Sequence, residues 1–247
     1  MARTSTVTPS NSLSTAKQDA FNNKIVEYEC NGQTIKLSPV IVRQFLVNGN
    51  GQVTDQEVTF FLNLCKFQRL NPFLKECYLV KYGNDQPATI VTGREAFDKR
   101  AFRNKRFQGK QAGVVLLKED GTLESRIGSM VLPNETLVGG WAKVFVEGYM
   151  VPIESQVSVE EYMGRKKDGT PNNQWATKPG TMIRKVALVQ ALREAFPEEY
   201  GGLYSQDEVN TGDVELNEEP IAPPGADFVA EPQNKPVPPT FDDDPLG

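Results

Sequence analysis

The sequence contains no histidine, although it has 247 residues. Histidine is the most common general base in proteins and a frequent metal ligand, because its ring titrates near neutral pH. Its absence argues against a Ser-His-Asp or Cys-His nucleophile and against most zinc sites. Carboxylate chemistry with Mg²⁺ remains open, since it needs only aspartate and glutamate.

Cysteine is scarce, and long apolar runs are missing. The three cysteines, Cys30, Cys65 and Cys77, are scattered without metal-ligand spacing, so we interpret them as buried thiols in a reducing cytoplasm. No apolar run is long enough to span a bilayer, and residues 1–20 are too polar for a signal peptide. The sequence therefore predicts a cytoplasmic protein without a membrane segment.

The net charge of −5 hides two regions of opposite sign. Residues 206–247 hold eleven acidic residues and one lysine, a charge of −10, and are rich in proline. The other residues hold 26 basic and 21 acidic residues, a charge of +5, which suits binding to a polyanion. We predict a disordered, Ser/Thr/Asn-rich leader over 1–23, one folded domain over 24–205 and an acidic, Pro-rich, disordered tail over 206–247.

Local patterns predict an α+β fold with a largely antiparallel sheet. Asn31-Gly32 marks a β-hairpin over 24–37, and T-D-Q-E at 54–57 is a capping box that opens a helix. The other predicted elements are helices over 38–47, 54–70, 93–104 and 158–165 and strands over 76–82, 88–92, 111–117, 125–132, 138–148 and 151–157. The later strands form a three- or four-stranded meander packed on helices.

The longest helical signal lies between Pro179, which suits a first helical turn, and Pro197, which ends the helix. Apolar residues recur there at helical spacing, and Arg193 projects among them. A cation on an apolar face needs a partner, because burying an unpaired charge is expensive. The expected partner is either a protein carboxylate such as Glu194 or Glu198, or a phosphate of a ligand.

The segment 94–110 combines cations with aromatic rings. It holds seven basic residues against two acidic ones, with Phe97, Phe102 and Phe107 interleaved. Such mixtures suit single-stranded nucleic acid, because cations contact phosphates while rings stack on bases. The alternative is a helix with a solvated basic face and its phenylalanines in the core. For Phe97 and Phe102 we favour the core position.

Two further groups of cations lie near predicted elements. One group surrounds the start of the long helix, and the other follows Asn71-Pro72. Trp175 belongs to the first group, and its role is that of a lid, a stacking platform or a core anchor. The predicted DNA-binding residues of the three groups are Lys75, Lys81, Arg94, Lys99, Arg100, Arg103, Lys105, Arg106, Trp175, Lys178, Arg184, Lys185 and Arg193. The sequence has no G-x-x-x-x-G-K-[ST] phosphate loop, and no nuclease signature stands out at strand ends.

Three ordered motifs resemble one protein family. They are N-P-F-L-K-E-C-Y at 71–78, I-V-T-G-R-E-A-F-D-K-R-A at 90–101 and the stretch from W-A-T-K-P-G to Y-S-Q-D-E at 175–208. Together they resemble the Bet, or Red-beta, branch of the RecT-like single-strand annealing proteins, over roughly residues 25 to 208. The third motif is the most specific, because its long pattern W-x(3)-P-x(2)-M-[IL]-R-x(5)-Q-x(2)-R-x-A-F is hard to meet by chance.

The resemblance implies a phage-type recombination protein that binds single-stranded DNA and anneals complementary strands without hydrolysing nucleotide. It implies a homo-oligomer, either a ring or a helical filament, with DNA in a basic groove that crosses subunits. The implied fold is a curved antiparallel sheet packed on helices, similar to that of the annealing protein Rad-fifty-two. The implied partners are a phage 5′→3′ exonuclease and the host single-strand-binding protein, in a bacterial host cytoplasm. No cofactor is required on this interpretation, with Mg²⁺ left open as an aid to DNA binding.

The resemblance also assigns roles to single positions. Lys75 in N-P-F-L-K-E matches a basic position near DNA, and Arg193 in Q-A-L-R-E-A-F matches a helix arginine that meets phosphate. Trp175 matches a tryptophan that precedes this helix. Arg184 in M-I-R matches a basic position whose contact is either phosphate or another subunit.

The chain departs from the family pattern at two places. Relatives often carry further cations near Gly180 and Val186, where this chain has none, so Lys178 and Lys185 are candidates to replace them. A short acidic tail stands where relatives can carry a folded partner-binding module. Its end, F-D-D-D-P-L at 241–246, is either a solubilising tail, which we favour, or a mimic that competes with DNA or binds partners.

Two functions of other classes remain as alternatives. One is a divalent-metal nuclease that uses scattered Asp and Glu, which strand cleavage with Mg²⁺ would reveal. The other is a non-enzymatic scaffold whose basic patches bind acidic protein, which would show no DNA binding at low salt. Neither explains three ordered motifs.

Overall fold

The computed structural model describes residues 17–166, 168–205, 208 and 221. It opens with a helical segment over 17–22, in which Gln18 donates to Asp55 Oδ1 at 3.2 Å. Arg43 donates to Asn22 Oδ1 at 3.1 Å. Because these contacts hold the segment, helical structure begins inside the predicted leader, whose first 16 residues lie outside the described part.

The first half of the chain forms a hairpin, a small sheet and helices. Its elements are β1 (Val26–Cys30), β2 (Gln33–Leu37), α1 (Pro39–Ile41), a π-helical turn (Val42–Leu46), β3 (Val47–Asn48), α2 (Asp55–Gln68), a 3₁₀ turn (Pro72–Leu74), β4 (Cys77–Val80), β5 (Thr89–Thr92) and α3 (Arg94–Arg103). The hairpin prediction is confirmed: β1 and β2 pair antiparallel around Asn31 and Gly32, whose φ angles of 56° and 77° fit a type I′ turn. The capping box is also confirmed, since Thr54 Oγ1 accepts from Glu57 N and Glu57 Oε2 accepts from Thr54 N.

β3, β4 and β5 form a three-stranded sheet with β4 in the centre. β4 pairs parallel with β3 and antiparallel with β5, and all of its residues are buried. At the end of β5, the N–H of Thr92 donates to Tyr204 O at 2.8 Å, and Thr92 and Ser205 form a parallel bridge. The chain that follows the last helix thus returns to the edge of β5.

The second half of the chain forms a four-stranded antiparallel sheet and a long helix. Its elements are β6 (Phe107–Leu117), β7 (Leu123–Ile127), β8 (Thr136–Val146), β9 (Ile153–Ser158), α4 (Val159–Tyr162), α5 (Asn173–Thr177), α6 (Pro179–Ala195) and α7 (Pro197–Tyr200). The strand order is β7-β6-β8-β9, with every pair antiparallel. Val114 of β6 and Val144 of β8 are buried in one core with Ile183 and Leu192 of α6, so α6 covers one face of this sheet. The α+β prediction is confirmed.

The contact between α6 and β8 is closest at Gly140. A Cβ atom at this position would come within 2.5 Å of Ile183 O. Glycine is therefore required here, because any side chain would push the helix off the strand. This contact determines the distance between α6 and the sheet. It thereby also determines where Arg193 lies relative to the sheet.

Two local predictions were wrong, one in each half of the chain. The strand predicted over 125–132 ends at Ile127, because Gly128 has a φ of 90° and Arg126 bonds to Glu135 across the following loop. Phe102 is 71% exposed rather than in the core, whereas Phe97 is buried as predicted. Five positions on a helix span about 140° around its axis, so the two rings cannot share one face.

Two residues beyond the predicted domain end at 205 contact the folded part. Glu208 contacts α6, and Ile221 donates its N–H to Phe73 O at 2.9 Å and packs against the core. The rest of the predicted tail lies outside the described residues. Among the helices that the structure describes, none is both long and apolar enough to cross a membrane.

Candidate nucleic-acid interface

Arg193, near the end of α6, is held by the chain that follows the last helix. Its Nη2 donates to both carboxylate oxygens of Glu208, at 2.8 and 2.7 Å. Nε and Nη2 also donate to Leu203 O, at 3.3 and 3.0 Å. The Cζ atom lies 4.8 Å from the centre of the Tyr204 ring, which is close enough for a cation–π interaction. The guanidinium is therefore positioned from several sides.

Glu208 is an almost fully enclosed carboxylate. Its side chain is 5% exposed, and its Oε2 also accepts from Ser205 N at 2.9 Å and Ser205 Oγ at 3.1 Å. Of the two kinds of partner expected for Arg193, the structure contains the carboxylate, but the residues expected to supply it, Glu194 and Glu198, are exposed instead. A carboxylate on a guanidinium uses the same charge-assisted hydrogen bonds that a phosphate would use.

Lys75 is a buried residue whose ammonium has no acidic partner in the described chain. It follows the 3₁₀ turn in the left-handed region, with a φ of 57°, and is 8% exposed. Its Nζ lies 5.8 Å from the centre of the Tyr78 ring, and burial lowers the pKa of the ammonium. In the part of the chain that the structure describes, no carboxylate comes within ion-pair distance of it. This environment suits an ammonium that receives its counter-charge from a ligand.

Lys75 and Arg193 share one neighbourhood at the end of β5. Gly93, the N-cap of α3, lies so close to Lys75 O that a Cβ atom at position 93 would overlap it. The preceding residue, Thr92, bonds to Tyr204, whose ring lies against Arg193. The backbone segments next to the two cations that the resemblance assigns to DNA thus meet around the start of α3.

Lys81 lies apart from this neighbourhood. It follows the far end of β4 from Lys75, about 20 Å away along an extended strand. Its buried Nζ donates to Glu57 Oε1 at 2.8 Å and to Gln86 O at 2.6 Å. In this structure Lys81 joins α2 to the loop before β5, and its predicted contact with DNA stays a prediction.

The Glu57 carboxylate that Lys81 contacts has a strongly shifted pKa. Burial by itself raises this pKa, but hydrogen bonds from Lys81 and from the backbone N–H groups of Thr54 and Ala88 outweigh burial. The net result is a pKa of about 2. Glu57 therefore stays charged, and the pair stays intact, across the physiological range.

The cations of α3 fall into two groups. Arg100 donates to Gln68 O and, at 2.8 Å, to Glu199 O, so it braces α3 against α2 and α7. Lys99 lies 3.5 Å from the buried carboxylate of Glu76. These two cations hold neighbouring elements together as well as adding positive charge.

The second group lies at the end of α3 and the start of β6. Arg103 and Lys105 are exposed, and within the described ranges their side chains make no hydrogen bond or ion pair. The Arg106 side chain bonds to a carbonyl, Glu147 O at 3.4 Å, and lies over the Tyr149 ring at 5.7 Å. This end of α3 therefore carries positive charge that no carboxylate of the described residues pairs with. The side chain of the other predicted residue of the helix, Arg94, lies outside what the structure describes.

Trp175 anchors the start of the long-helix region in the core. It is 3% exposed, and its backbone N–H bonds to Asn172 Oδ1 at 3.1 Å. Gly164 leaves the space for the ring, since a Cβ at that position would lie 3.0 Å from it. Of the three roles considered for Trp175, its position in the structure favours the core anchor.

The remaining predicted cations lie along α6. Arg184 is half-buried and donates from Nε to Ala112 O on β6 at 3.2 Å. Lys185 is also half-buried, and both side chains have interaction partners. Lys178 is exposed at the junction of α5 and α6. Arg184 therefore fastens α6 to the sheet, and Lys178 is open to solvent.

Gly180 and Val186, near which the resemblance leads us to expect further cations, have no room for a longer side chain in this structure. A Cβ atom at Gly180 would come within 2.7 Å of Ser129 O, and Val186 is fully buried. A long basic side chain at either place would need a different packing of α6. The footprint of a bound polyanion on this helix therefore has to involve other side chains.

Sequence reasoning missed the residues that enclose Arg193. Tyr204 and Glu208 both belong to the third motif, which ends in L-Y-S-Q-D-E. One sequence pattern could have indicated Tyr204 and Glu208. An aromatic residue and an acidic residue follow shortly after a helix whose arginine has no partner within the helix. In the described residues no group of three or more acidic or thiol side chains is arranged to hold a metal ion.

Comparison with known proteins adds two findings. The model of the RecT family matches residues 33–222, a range that contains every residue of the site described above. An uncharacterized protein of Ureaplasma parvum serovar 3 is 30% identical over 167 residues, or 67% of this chain. The match spans 66% of that protein, so this chain covers just under two thirds of its relative's length.

Proposed function

The chain belongs to the RecT family of single-strand annealing recombination proteins, and on that premise we propose that it binds single-stranded DNA and anneals complementary strands without hydrolysing nucleotide. Within the family, the three sequence motifs favour the Bet, or Red-beta, branch. The proposed assembly is a homo-oligomer, as a ring or a helical filament.

The observation that carries the proposal is the environment of Lys75. Lys75 is 8% exposed as a residue and has no carboxylate partner in the described chain, so its charge is partly desolvated without a counter-charge from the protein. This arrangement becomes favourable when a polyanion supplies the missing charge. Arg193 lies in the same neighbourhood and already bonds to an oxygen-rich anion, Glu208, which a DNA phosphate is chemically able to replace.

The proposed mechanism needs no reacting side chain. Two complementary strands repel each other, and annealing requires them to stay close while their bases search for register. Cations that contact phosphates release counterions and lower this repulsion. Contacts to the phosphate backbone are independent of sequence and leave the Watson–Crick edges free for pairing. Many subunits along one strand then give avidity although each makes only a few contacts.

The remaining parts of the proposal follow from the resemblance. A phage 5′→3′ exonuclease would supply the single strands, and host single-strand-binding protein would cover the complementary ones, both in a bacterial cytoplasm. No cofactor is proposed as a requirement, and Mg²⁺ is tested as an additive because it screens phosphate charge. The acidic tail over 206–247 is proposed to keep the protein soluble.

A gel shift with two complementary oligonucleotides tests the proposal. The oligonucleotides are added one after the other, or annealed beforehand, to wild type and to Arg193→Ala, without ATP and with or without Mg²⁺. We expect tight binding on sequential addition only, intact oligonucleotides and a loss in the variant. Equal binding in both orders would contradict the annealing proposal, and cleavage with Mg²⁺ would support the nuclease alternative.

Arg193→Ala also removes the partner of a buried carboxylate, so its folding must be checked. The double variant Arg193→Met/Glu208→Gln removes the charge of both partners and serves as the matched control. If it melts like wild type and still fails to bind DNA, the loss belongs to the guanidinium. Lys36→Ala, on the exposed hairpin, controls for the loss of a positive charge elsewhere.

A further inference from the structure

Phe102 is the one phenylalanine of the segment 94–110 that lies on the surface. It is 71% exposed, whereas Phe97 is 1% exposed and Phe107 is half-buried. A single exposed apolar ring is common in proteins and carries no argument by itself. The residues that surround the ring of Phe102 are what indicate a function for it.

The ring of Phe102 is supported by packing against a neighbouring aromatic ring. It packs edge-on against Phe107, with ring centres 5.3 Å apart and an angle of 78° between the planes. Phe107 in turn packs edge-on against Phe196 of the core, at 6.3 Å. A ring supported in this way loses little conformational freedom when a flat ligand stacks on it. The support also explains why the ring is not folded back into the core.

Phe102 borders an open depression of about 410 Å³. The other residues that line it are Glu95, Asp98, Lys99 and Arg103. Both acids are engaged, because Lys110 pairs with Asp98 and Lys99 lies 3.6 Å from Glu95. The depression therefore combines a fixed aromatic ring with a guanidinium that has no partner in the described chain.

The positive charge around this depression favours an anionic ligand. The segment 94–110 has seven basic residues and two acidic ones, and the exposed cations Arg103 and Lys105 are not offset by any carboxylate of the described chain. A ligand that is both strongly anionic and equipped with flat apolar rings fits this surface. Single-stranded nucleic acid has both properties, whereas a duplex keeps the faces of its bases stacked inside.

We propose that Phe102 is a stacking platform for an unpaired base of single-stranded DNA, with Arg103 and Lys105 on the neighbouring phosphates. This inference rests on the proposed function and adds to it a base-binding position outside the Lys75–Arg193 neighbourhood. Phe102 lies nine residues beyond Gly93, or about 13 Å further along α3. The ring is therefore within reach of a strand that contacts Lys75 and Arg193.

The test compares Phe102→Ala with Phe60→Ala, a phenylalanine of α2 that is 64% exposed and lies away from the basic segment. Fluorescence anisotropy measures the affinity for a labelled single strand at several salt concentrations. We expect Phe102→Ala to weaken binding by about 5- to 100-fold, the range of one base–aromatic stack. The salt dependence should not change, because no charge is lost. Phe60→Ala should bind like wild type.

Two further arms separate the possible explanations. An oligonucleotide with abasic sites removes the stacking partner, so wild type and Phe102→Ala should then bind it equally. Phe102→Trp should keep the affinity, and its emission should change when DNA binds. If Phe102→Ala weakens binding to intact and abasic strands alike, the ring does not stack on bases and the inference is overturned.

The remaining outcomes distinguish this inference from the proposed function. If Phe102→Ala binds within twofold of wild type while Arg193→Ala does not bind, the platform is refuted and the proposed function stands. If wild type itself does not bind single-stranded DNA, both fail. If Phe102→Ala changes only the assembly size in sedimentation velocity, the exposed ring belongs to a contact between copies of the chain, which also refutes the platform.

Discussion

Glu208 places both carboxylate oxygens on one nitrogen of Arg193, with the closer oxygen at 2.7 Å. The acid is anchored by Ser205, and the segment that carries it is joined to β5. In the proposed function, a phosphate that meets this guanidinium competes with an acid of the same chain. The affinity for DNA then depends on the free energy needed to break the ion pair between Glu208 and Arg193.

Replacing Glu208 by glutamine should therefore tighten DNA binding. The amide keeps the size of the side chain but removes the competing charge, and we expect the affinity for single-stranded DNA to rise about threefold to tenfold at low salt. Folding should be weakened by about 1–2 kcal/mol, because a charged hydrogen bond is lost. Anisotropy titrations and thermal melts measure the two effects. Glu198→Gln, an exposed acid on α7, is the matched control, and equal effects of both variants would contradict the competition.

Lys75→Met should lower DNA affinity without lowering stability. The residue is 8% exposed and has no acidic partner in the described chain, so an apolar side chain of similar length is at least as well accommodated. We expect about tenfold weaker binding and a salt dependence reduced by about one phosphate contact. Lys24→Met, an exposed lysine before β1, should change neither. A variant that unfolds, or that binds normally, would remove Lys75 from the site.

The pKa of Lys75 gives a pH dependence with a definite sign. Burial lowers this pKa, and only the protonated form attracts phosphate. Binding should therefore weaken as the pH rises toward the lowered pKa, and Lys75→Arg should hold its affinity to higher pH. Titrations between pH 7 and pH 10 measure this difference. Parallel pH profiles for the two proteins would show that Lys75 does not bear the contact.

Lys81→Met should act on folding rather than on binding. Removing the ammonium leaves Glu57 partly buried and unpaired, and breaking such a pair costs about 3–5 kcal/mol. The double variant with Glu57→Gln should recover most of this loss. Urea denaturation measures stability, and gel shifts of the folded variants measure binding. A stable Lys81→Met that fails to bind DNA would place Lys81 in the interface after all.

The Glu57 carboxylate should contribute to acid stability in a defined window. Its pKa in the folded protein is about 2, below the ordinary value of 4.5. The stabilisation is therefore complete above about pH 4.5 and lost as the pH falls toward 2, up to about 3 kcal/mol in size. The stability difference between wild type and Glu57→Gln should shrink across this window. A constant difference would show that the carboxylate is not coupled to folding.

The features that sequence could predict are local ones. Asn31-Gly32 and the Thr54–Glu57 box were confirmed, because hydrogen bonds within a few residues decide them. Helical spacing also predicted α6, but spacing only tells which residues share a face and not whether another element covers that face. Phe102 was misplaced for this reason, since no element of the described part of the chain covers it.

The features that the sequence could not predict depend on pairing between residues that are far apart in the chain. Glu208 was not expected as the partner of Arg193, because its position follows from the bridge between Ser205 and Thr92. These two residues are far apart in sequence, and no local signal indicates that they pair. Likewise, nothing near Lys75 in sequence shows that its side chain is buried without a carboxylate. The sequence could name the candidate cations of the site, but not the residues that surround them.

The cover that α6 forms over β6, β8 and β9 also has a consequence for biosynthesis. The strands leave the ribosome first, and α6 is complete about 50 residues after β8 ends at Val146. At roughly 5–20 residues per second, the apolar face that carries Val114 and Val144 stays bare for several seconds. During this interval a nascent chain needs a chaperone or dilution to avoid aggregation. A chain that stalls or is cut before α6 cannot bury this face at all.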